Sequence, residues 1–291
     1  MLLTIFTPTY NRKDLLKRVY DSLLVQTVKD FEWLIVDDGS TDDTDSVVRE
    51  WIMENRITIR YFYRENGGKM RAHNVGVRLA KGEIFTCLDS DDYLVETAVE
   101  ELVHCYNVNK DRQYEEKRVA GVVAHKGETA DKLLGDCEFP DCELSTLYGL
   151  YLKGFKGETT LLYETRVLRQ YPFPEIDGEK YVPEDYVYDK IDVEYALAVL
   201  PKIITVCEIV SEGYTDSVKK LKKNNPMAWY LYYEQRAAIT PFSMLKIKYL
   251  GRYVIYAFRT KSGLNASKRI GNFEKLLGIL FALVLMIIRK E

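Results

Sequence analysis

Apolar and polar positions alternate regularly over the first hundred residues. Short apolar runs predict β-strands at 2–7, 31–36, 57–64 and 84–88, and apolar residues at helical spacing predict helices at 13–27, 40–55 and 70–79. Strands that alternate with helices in this way are typical of a parallel sheet covered by helices on both faces. Ligands of such sheets bind beyond the carboxyl ends of the strands.

Polar clusters follow three of these predicted strands, each at the carboxyl end. They occupy residues 8–12, 37–40 and 89–92. Because the carboxyl ends of parallel strands share one edge of a sheet, we expect the three clusters to lie together.

The run Leu88-Asp89-Ser90-Asp91-Asp92 places three carboxylates directly after an apolar strand. Such carboxylates repel each other and are costly to desolvate. A divalent cation shared with a phosphate removes this conflict, and Mg²⁺ and Mn²⁺ are commonly held in that way. The pattern therefore indicates a metal-bound nucleotide site. The alternative is an acidic helix N-terminus, in which Asp91 and Asp92 cap the following helix.

The pattern is less regular beyond the first hundred residues. Apolar runs predict strands at 119–125, 195–200 and 203–209, whereas 133–157 is typical of loops and short helices. From residue 211 the sequence becomes helical, aromatic and basic. We therefore expect a catalytic domain at 1–210, with a nucleotide-binding half at 1–100 and an acceptor half at 101–210, followed by a helical extension at 211–291.

Bulk composition narrows the function classes. The chain has 291 residues, 47% of them apolar, which is enough for one large α/β domain, and a net charge of −3, which offers no general attraction for nucleic acid. The odd number of cysteines, five, favours free thiols in a reducing compartment. The first residues show no secretory signal pattern, so we expect a cytoplasmic protein.

The stretch 276–288 is uncharged and mostly apolar, with basic residues on both sides. As a helix it would be about 20 Å long, which is short for crossing a bilayer. The pattern favours attachment to the inner face of the plasma membrane, where a lipid-linked acceptor would be found. The alternative is a helix packed on the catalytic domain or in a homodimer. The basic segment Lys219–Lys223 fits a lid over a diphosphate, a solvated face or a contact with anionic lipid.

Four strings within residues 1–100 resemble family 2 inverting glycosyltransferases with the GT-A fold, in the order and spacing of that family. They are Pro8-Thr9-Tyr10-Asn11-Arg12, Val36-Asp37-Asp38-Gly39-Ser40-Thr41-Asp42, Asn66-Gly67-Gly68-Lys69 with His73-Asn74-Val75-Gly76, and Leu88-Asp89-Ser90-Asp91-Asp92. The resemblance implies a Rossmann-like, mostly parallel α/β sheet flanked by helices. It also implies transfer of a sugar from a nucleotide-sugar, here a UDP-sugar, to a hydroxyl of a glycan or lipid-linked acceptor in cell-surface polysaccharide synthesis, with Mn²⁺ or Mg²⁺.

The resemblance further implies residue roles. Tyr10 would lie against the nucleobase, Asp38 would bind the uracil edge, Asp89 would reach the ribose, and Asp91 would coordinate the metal together with phosphates and water. The substrate-binding set is Pro8, Tyr10, Asn11, Arg12, Asp38, Lys69, Asn74 and Asp89.

Four of the residues in these strings have structural alternatives. Lys69 could be a solvated turn lysine, and Asn74 could hold its loop. Asp37 and Asp42 are better explained by turn and cap hydrogen bonds than by a contact with substrate.

Inverting transfer needs a carboxylate that takes the proton from the acceptor hydroxyl. The segment Gly178–Val187 contains Pro183-Glu184-Asp185, which resembles the family's Glu-Asp motif. The family assigns the base to the second residue, here Asp185, with Glu184 as the alternative. The structural alternative is a pair of carboxylates that stabilise a first helical turn. All three histidines lie upstream of this motif, so we expect no histidine ligand to the metal.

Two other functions compete with glycosyl transfer. A nucleotidyltransferase would be expected to carry a glycine-rich, basic loop after the first strand, where this chain has Pro8–Arg12. A nucleotide-sugar-binding protein without catalysis would bind the donor and show no turnover.

Overall fold

The structure is a computed structural model that describes residues 2–135, 137–207, 218–264 and 267–289. Its strands are β1 Leu3–Thr9, β2 Phe31–Asp37, β3 Thr58–Tyr63, β4 Ile84–Cys87, β5 Asp92–Leu94, β6 Gln113–Tyr114, β7 Lys117–Gly127, β8 Leu144–Ser145, β9 Thr159–Glu164 and β10 Tyr195–Cys207. Its helices are α1 Lys13–Leu24, α2 Thr44–Glu54, α3 Lys69–Leu79, α4 Ala98–Asn109, α5 Leu147–Leu152, α6 Thr165–Leu168, α7 Asp185–Ile191, α8 Val218–Asn224, α9 Pro226–Ile239, α10 Met244–Arg259 and α11 Asn272–Arg289.

The chain divides into two compact units. The first contains residues 1–173 and 187–211 and includes the sheet, and the second contains residues 174–186 and 212–291. The predicted division at 210/211 is not tested by this grouping and stays a prediction. The short segment 174–186 clusters with the C-terminal helices although it lies inside the predicted catalytic domain.

The sheet is mixed, with a parallel half that contains the N-terminal strands. Its order is β3-β2-β1-β4-β9-β7-β10-β5. β1 pairs in parallel with both β2 and β4, and β2 pairs in parallel with β3. β9 runs antiparallel to β4 and β7, and β5 runs antiparallel to β10. The predicted mostly parallel sheet flanked by helices is confirmed.

Helices cover both faces of the parallel half, so its central strands are buried along their whole length. Every residue of β1 and β2 is buried, as expected for strands between two helical layers. On one face Trp33 stacks on Tyr20 and Trp51, with ring centroids 6.1 and 5.9 Å apart. On the other face Phe6 stacks on Phe85 at 5.4 Å. The first contacts pack α1 and α2 against the sheet, and the second joins β1 to β4.

The predicted strands at 195–200 and 203–209 form one strand in the structure. β10 runs through both segments and shifts register against β7 between Leu200 and Ile203. The irregularity at Pro201 and Lys202 interrupts the apolar pattern, which made one strand look like two. Residues 208 and 209 lie outside the described residues.

In the second unit, polar contacts hold the segment 174–186 against the start of α9. Both carboxylate oxygens of Glu179 accept hydrogen bonds from backbone N–H groups of the first helical turn, at 2.7 Å from Met227 and 2.8 Å from Ala228. Asn225 Oδ1 accepts from the backbone N–H groups of Lys180 and Tyr181 at 2.9 and 3.0 Å. A carboxylate at a helix N-terminus satisfies donors that the helix itself leaves unpaired.

The close approach of β7 to β9 leads to a stability prediction. A Cβ on Gly121 would overlap the backbone carbonyl oxygen of Leu162 in the neighbouring strand. We expect Gly121→Ala to lower the free energy of unfolding by about 2 kcal/mol or more, because neither strand can move without disturbing the sheet. Urea denaturation measures this loss.

Gly271→Ala is the matched control for that measurement. The nearest atom to its Cβ, Glu274 Oε2, is 3.7 Å away, so we expect a change of less than about 1 kcal/mol. Equal effects of the two substitutions would contradict the packing described between β7 and β9.

Candidate active site

The three polar clusters lie side by side at one edge of the sheet. Thr9 is level with Asp37 in the register of β1 and β2, and Phe6 is level with Cys87 in that of β1 and β4. Main-chain bonds extend both pairings beyond the strand ends. Asp38 N donates to Thr9 O at 2.8 Å, and Leu88 N donates to Phe6 O at 2.8 Å. The predicted convergence of the clusters is confirmed.

Asn11 joins the loop after β1 to the loop after β2. Its backbone N–H donates to Ser40 Oγ at 2.9 Å, and its Oδ1 accepts from Thr41 N at 2.7 Å. Asn11 has a φ of +52°, a left-handed conformation that asparagine tolerates better than most residues. The preceding residue, Tyr10, is 48% exposed, so its ring is accessible to a ligand. Pro8 lies within the buried strand β1.

Asp38 is buried and holds the turn that precedes α3. Its Oδ1 accepts from Gly67 N at 3.0 Å and from Arg64 Nη1 at 2.9 Å, and its Oδ2 accepts from Gly68 N at 2.6 Å. Gly68 has a φ of +97°, which a residue with a Cβ rarely adopts. Asp38 therefore fixes the turn before α3 in this structure, and its contact with a base stays a prediction.

Each carboxylate of the acidic run has its own cationic partner. Asp89 pairs with Lys69 of α3 at 2.8 Å, and Asp91 pairs with Arg12, after β1, at 2.7 Å. Asp92 pairs with Lys126 of β7 at 2.9 Å. Three cations from three elements therefore neutralise a turn of four residues.

The surroundings of this turn correct two expectations from the sequence, namely that the acidic run caps a helix and that its repulsion requires a metal. Asp92 opens β5 and the next helix begins at Ala98, so the run is not the N-terminus of a helix and the capping alternative is wrong. The backbone instead turns at this point, with Asp92 N donating to Asp89 O at 3.1 Å. Protein cations also relieve the carboxylate repulsion, so the repulsion by itself does not require a metal.

Burial and these cations shift the pKa values of the groups in the turn. Burial opposes ionisation of Asp89, but Lys69, Lys126 and Arg12 together outweigh it and lower the pKa of Asp89 to about 2. Burial raises the pKa of Asp92 more than Lys126 lowers it. For Lys126, the attraction of Asp92 and Asp89 outweighs burial and raises the pKa of the ammonium group. Lys126 is thus a fixed positive charge beneath the turn at neutral pH.

The outer part of the turn suits a cation that brings further ligands with it. Asp91 is 19% exposed, its Oδ2 contacts Arg12, and its carbonyl oxygen accepts from Arg18 Nη2 at 3.0 Å. Among the described residues, no group of three or more histidine, cysteine and acidic side chains is arranged to hold a metal ion. One or two accessible carboxylates fit Mg²⁺ or Mn²⁺ when water and a phosphate complete the coordination. Binding at Oδ2 would require Arg12 to move.

The contacts of Lys69 and Asn74 bear on the choice between a substrate-binding role and a structural role for each residue. Lys69 is an ion-pair partner of Asp89 and not a solvated turn lysine. The Asn74 amide binds the backbone of Phe173 twice, donating to its carbonyl oxygen and accepting from its N–H, both at 2.9 Å. Asn74 therefore holds its neighbour, and any contact of Asn74 with substrate stays a prediction.

Asp37 and Asp42 make the turn and cap hydrogen bonds expected of them. Asp37 accepts from Ser40 N at 2.7 Å and from the Tyr61 hydroxyl at 2.6 Å. Asp42 accepts from Thr44 N at 3.1 Å, where α2 begins.

The candidate base lies in the second unit. Asp185 begins α7, and its Oδ2 lies 2.9 Å from Nη2 of the buried Arg236. Burial raises the pKa of Asp185, Arg236 lowers it, and Glu184 raises it, with a net upward shift. Gln235 Nε2 fixes the same turn by donating to Tyr186 O at 2.9 Å. A carboxylate with a raised pKa is suited to accepting a proton.

Sequence reasoning missed Lys126, Arg18 and Arg236. Lys126 follows the predicted strand 119–125, but only the three-dimensional structure shows that it reaches Asp92 of β5 from β7, with β10 between these two strands in the sheet. Arg236 lies in an aromatic helix, where an arginine usually extends its head group to solvent. Its position two residues after Glu234 gave no signal that it is buried.

The sequence of residues 4–112 matches the family model described as glycosyl transferase family 2. Residues 4–112 belong to that family. Over 99 residues the chain is 43% identical to the chondroitin synthase of Pasteurella multocida, which covers 34% of this chain and 10% of the synthase. Over 102 residues it is 36% identical to the glycosyltransferase GlyG of Streptococcus pneumoniae, covering 35% of this chain and 34% of GlyG. The chain thus spans only a minor part of these curated relatives.

Solved structures resemble nearly the whole chain, beyond the family 2 segment. TarS 1–349 of S. aureus in complex with UDP-GlcNAc has a TM-score of 0.64 at 20% identity, with 91% of this chain and 77% of that chain covered. The mannosyltransferase PcManGT of Pyrobaculum calidifontis in complex with GDP-Man and Mn²⁺ has a TM-score of 0.55 at 18% identity, with coverages of 99% and 81%. At these identities the likeness establishes the fold, which is GT-A as predicted.

The buried Asp92–Lys126 pair generates a stability prediction. We expect Lys126→Met to lower the free energy of unfolding at pH 7 by about 3 kcal/mol, because it leaves a buried carboxylate without its cation. The loss should shrink as the pH falls towards 5, because Asp92, whose pKa burial raises, then takes up a proton. Urea denaturation at both pH values measures this.

Lys202→Met is the matched control for the charge. Lys202 pairs with Glu101 at 2.6 Å, but its side chain is 55% exposed, so we expect a loss of less than about 1 kcal/mol at either pH. A pH-independent loss in Lys126→Met would contradict the electrostatic role of Lys126.

Proposed function

We propose that this chain is a metal-dependent inverting glycosyltransferase that moves a sugar from a UDP-sugar to a hydroxyl of a glycan or lipid-linked acceptor. The observation that carries the proposal is the joining of three features at one sheet edge: the exposed ring of Tyr10, the buried carboxylate of Asp38 and the acidic turn at Asp89–Asp92. Membership of residues 4–112 in glycosyl transferase family 2 supports it.

The donor and pathway are proposed from proteins similar to this chain. The TarS structure contains UDP-GlcNAc, which supports a UDP-sugar, and the PcManGT structure contains GDP-Man and Mn²⁺, which supports a divalent metal. Relatives that match about a third of this chain include chondroitin and hyaluronan synthases of Pasteurella multocida, which supports a role in polysaccharide synthesis. Peripheral contact of residues 276–288 with the inner face of the plasma membrane would bring a lipid-linked acceptor within reach.

We assign donor binding to the sheet edge. Tyr10 would stack on the base, and Asp38 would accept from a base N–H through Oδ2. Among the described residues this oxygen accepts only from Gly68 N, whereas Oδ1 accepts from both Gly67 N and Arg64. Asp89 would contact the ribose and Asp91 would hold Mn²⁺ or Mg²⁺ with the diphosphate. When bound, the metal offsets the negative charge that develops on the departing nucleoside diphosphate.

Arg12 would change partner when the donor binds. In the structure its guanidinium occupies Asp91 Oδ2, one of the oxygens available to a metal. If Asp91 held a cation through that oxygen, Arg12 would need another partner, and a phosphate oxygen of the donor would suit its guanidinium. Lys69 could likewise leave Asp89 for a phosphate oxygen of the donor. Asp89 could also contact the ribose while its ion pair with Lys69 remains.

Asp185 would act as the base. Its raised pKa makes it a stronger proton acceptor than an ordinary aspartate, and Arg236 holds the carboxylate in place from within the second unit. Removing the proton from the acceptor hydroxyl lets its oxygen attack the anomeric carbon in line with the leaving diphosphate. Glu184 raises the pKa of Asp185 through its negative charge and remains the alternative base.

The metal assignment predicts the behaviour of Asp91→Asn. We expect its kcat/KM with a UDP-sugar and Mn²⁺ to fall about 100-fold or more, because the cation loses its only proposed carboxylate ligand. Calorimetric titration of Mn²⁺ in the presence of UDP should show the same loss of binding.

Asp43→Asn is the control for the Asp91 variant. Asp43 pairs with Lys13 at 2.7 Å but is 75% exposed on the loop before α2, and we expect unchanged metal binding. Full activity or full Mn²⁺ binding in Asp91→Asn would exclude Asp91 as the ligand.

The base assignment predicts a fall of about 10²–10⁴-fold in kcat for Asp185→Asn, with the dissociation constant for UDP unchanged. In the unaltered protein the rate should rise with pH through the raised pKa of Asp185, because the base acts as a carboxylate. Glu184→Gln should keep most of the activity and move this rise to lower pH, since it removes the charge that raises the pKa.

The opposite pattern would identify Glu184 as the base. The Asp185→Asn and Glu184→Gln variants are compared by their rates of UDP release and by the stereochemistry of the transferred sugar. Binding of UDP-sugars without turnover over a panel of acceptors would instead favour a nucleotide-sugar-binding protein.

A further inference from the structure

The outer face of the C-terminal helix α11 is apolar, although it faces away from the protein. Its side chains are between 44% and 80% exposed and lie within a stripe about 100° wide on the helix surface. They are Phe273, Leu276, Leu280, Leu283, Val284 and Ile287. A surface helix of a water-soluble unit usually presents polar residues on this side.

The opposite face of α11 is already packed against α10. A Cβ on Gly278 would lie 3.0 Å from Leu250 O, and one on Gly251 would lie 2.7 Å from the ring of Phe281. Ala282 is buried in the same contact. Small residues let the two helices approach closely, with Phe281, Ile279 and Leu285 on the packed side and the six exposed side chains on the outer side. The packing of α11 on α10 therefore determines which side chains form the exposed stripe.

The apolar surface continues onto the beginning of α10. Lys246 pairs with Glu274 at 2.8 Å, which sets the first turns of α10 and α11 side by side. The chain entering α10 also has exposed apolar residues at that end, namely Phe242, Met244 and Leu245. Two adjacent segments thus expose apolar side chains, which exceeds the isolated exposed residues normal for a soluble surface.

The net charge of residues 211–291 indicates which kind of partner can cover this apolar surface. Residues 211–291 contain 15 lysines and arginines against 5 acidic residues, a net charge of +10, whereas residues 1–210 have a net charge of −13. Exposed Lys268 and Arg269 lie just before the start of α11. Two copies meeting through this surface would bring two strongly basic segments together, which is unfavourable. An anionic lipid surface offers both an apolar layer and negative charge.

We propose that α11 lies in the plane of an anionic membrane surface, with its outer stripe inserted among the lipids and the exposed Lys268 and Arg269 facing the head groups. This deepens the membrane contact proposed above for residues 276–288, and it does not depend on the transferase activity, because membrane binding needs neither donor nor metal. Among the described residues, no helix is long and apolar enough to cross a membrane.

Sedimentation of the full chain with vesicles tests the proposal. We expect binding to vesicles of phosphatidylglycerol and phosphatidylethanolamine, weakened by salt, and little binding to phosphatidylcholine vesicles. The double variant Leu276→Glu and Leu280→Glu should lose more than tenfold in the partition coefficient, since it removes two inserted side chains. Both sites are exposed and glutamate favours helix, so the unaltered circular dichroism and UDP affinity of the variant should show that it folds.

The matched control adds the same two charges elsewhere. Met53 and Val108 are 76% and 61% exposed on α2 and α4, and replacing both by glutamate should leave vesicle binding unchanged. Equal losses in the two double variants, or no vesicle binding by the unaltered chain, would overturn the proposal. A dimer in analytical ultracentrifugation that the Leu276 and Leu280 substitutions dissociate, without any vesicle binding, would assign the stripe to a second copy instead.

Discussion

Asp89, Asp91 and Asp92 lie within four residues, and each of them forms an ion pair with a basic side chain. These three ion pairs organise this edge of the sheet. Lys69, Arg12 and Lys126 supply the charges from α3, from the loop after β1 and from β7. None of the three is close to the turn in sequence, so the pairs add side-chain contacts between segments of the first unit that lie far apart in the chain. Positions of α3 and β7 relative to β4 are thereby tied to the charge of one short turn.

The three ion pairs differ in how readily they can open. Asp92 is buried, and Lys126, whose side chain is 16% exposed, pairs with it beneath the turn, where separating them would leave an unpaired carboxylate in the protein interior. Asp91 and Arg12 are more accessible, and a partner from solvent can compete for either of them. The turn therefore combines an inner pair that preserves its shape with an outer pair that can respond to a ligand. This division explains how one acidic run can be both part of the fold and part of a binding site.

Local pattern predicted the first hundred residues well, because strand and helix periodicities arise from neighbouring residues. The same reasoning split β10 into two strands, since Pro201 and Lys202 interrupt its apolar pattern. It also could not foresee that β9 lies antiparallel between β4 and β7, because strand order is a property of the whole sheet. For the site, the clustering of Tyr10 and Asp38 with the acidic turn followed from strand direction alone. The partner of Asp92 did not, because a lysine after a strand has no distinctive pattern until its neighbours in space are known.

The place of Lys126 in the chain has a consequence for how the first unit folds. Strands β1 to β4, which form the parallel half, lie within residues 3–87, and the family 2 segment ends at residue 112. Lys126 comes later, on β7, and the strand that pairs with β5 is β10, so both the counter-charge and the neighbouring strand of Asp92 come from outside the family segment. The native surroundings of the acidic turn thus depend on the later half of the sheet. The family segment is a unit of sequence similarity, whereas the packing of its acidic turn requires β7 and β10.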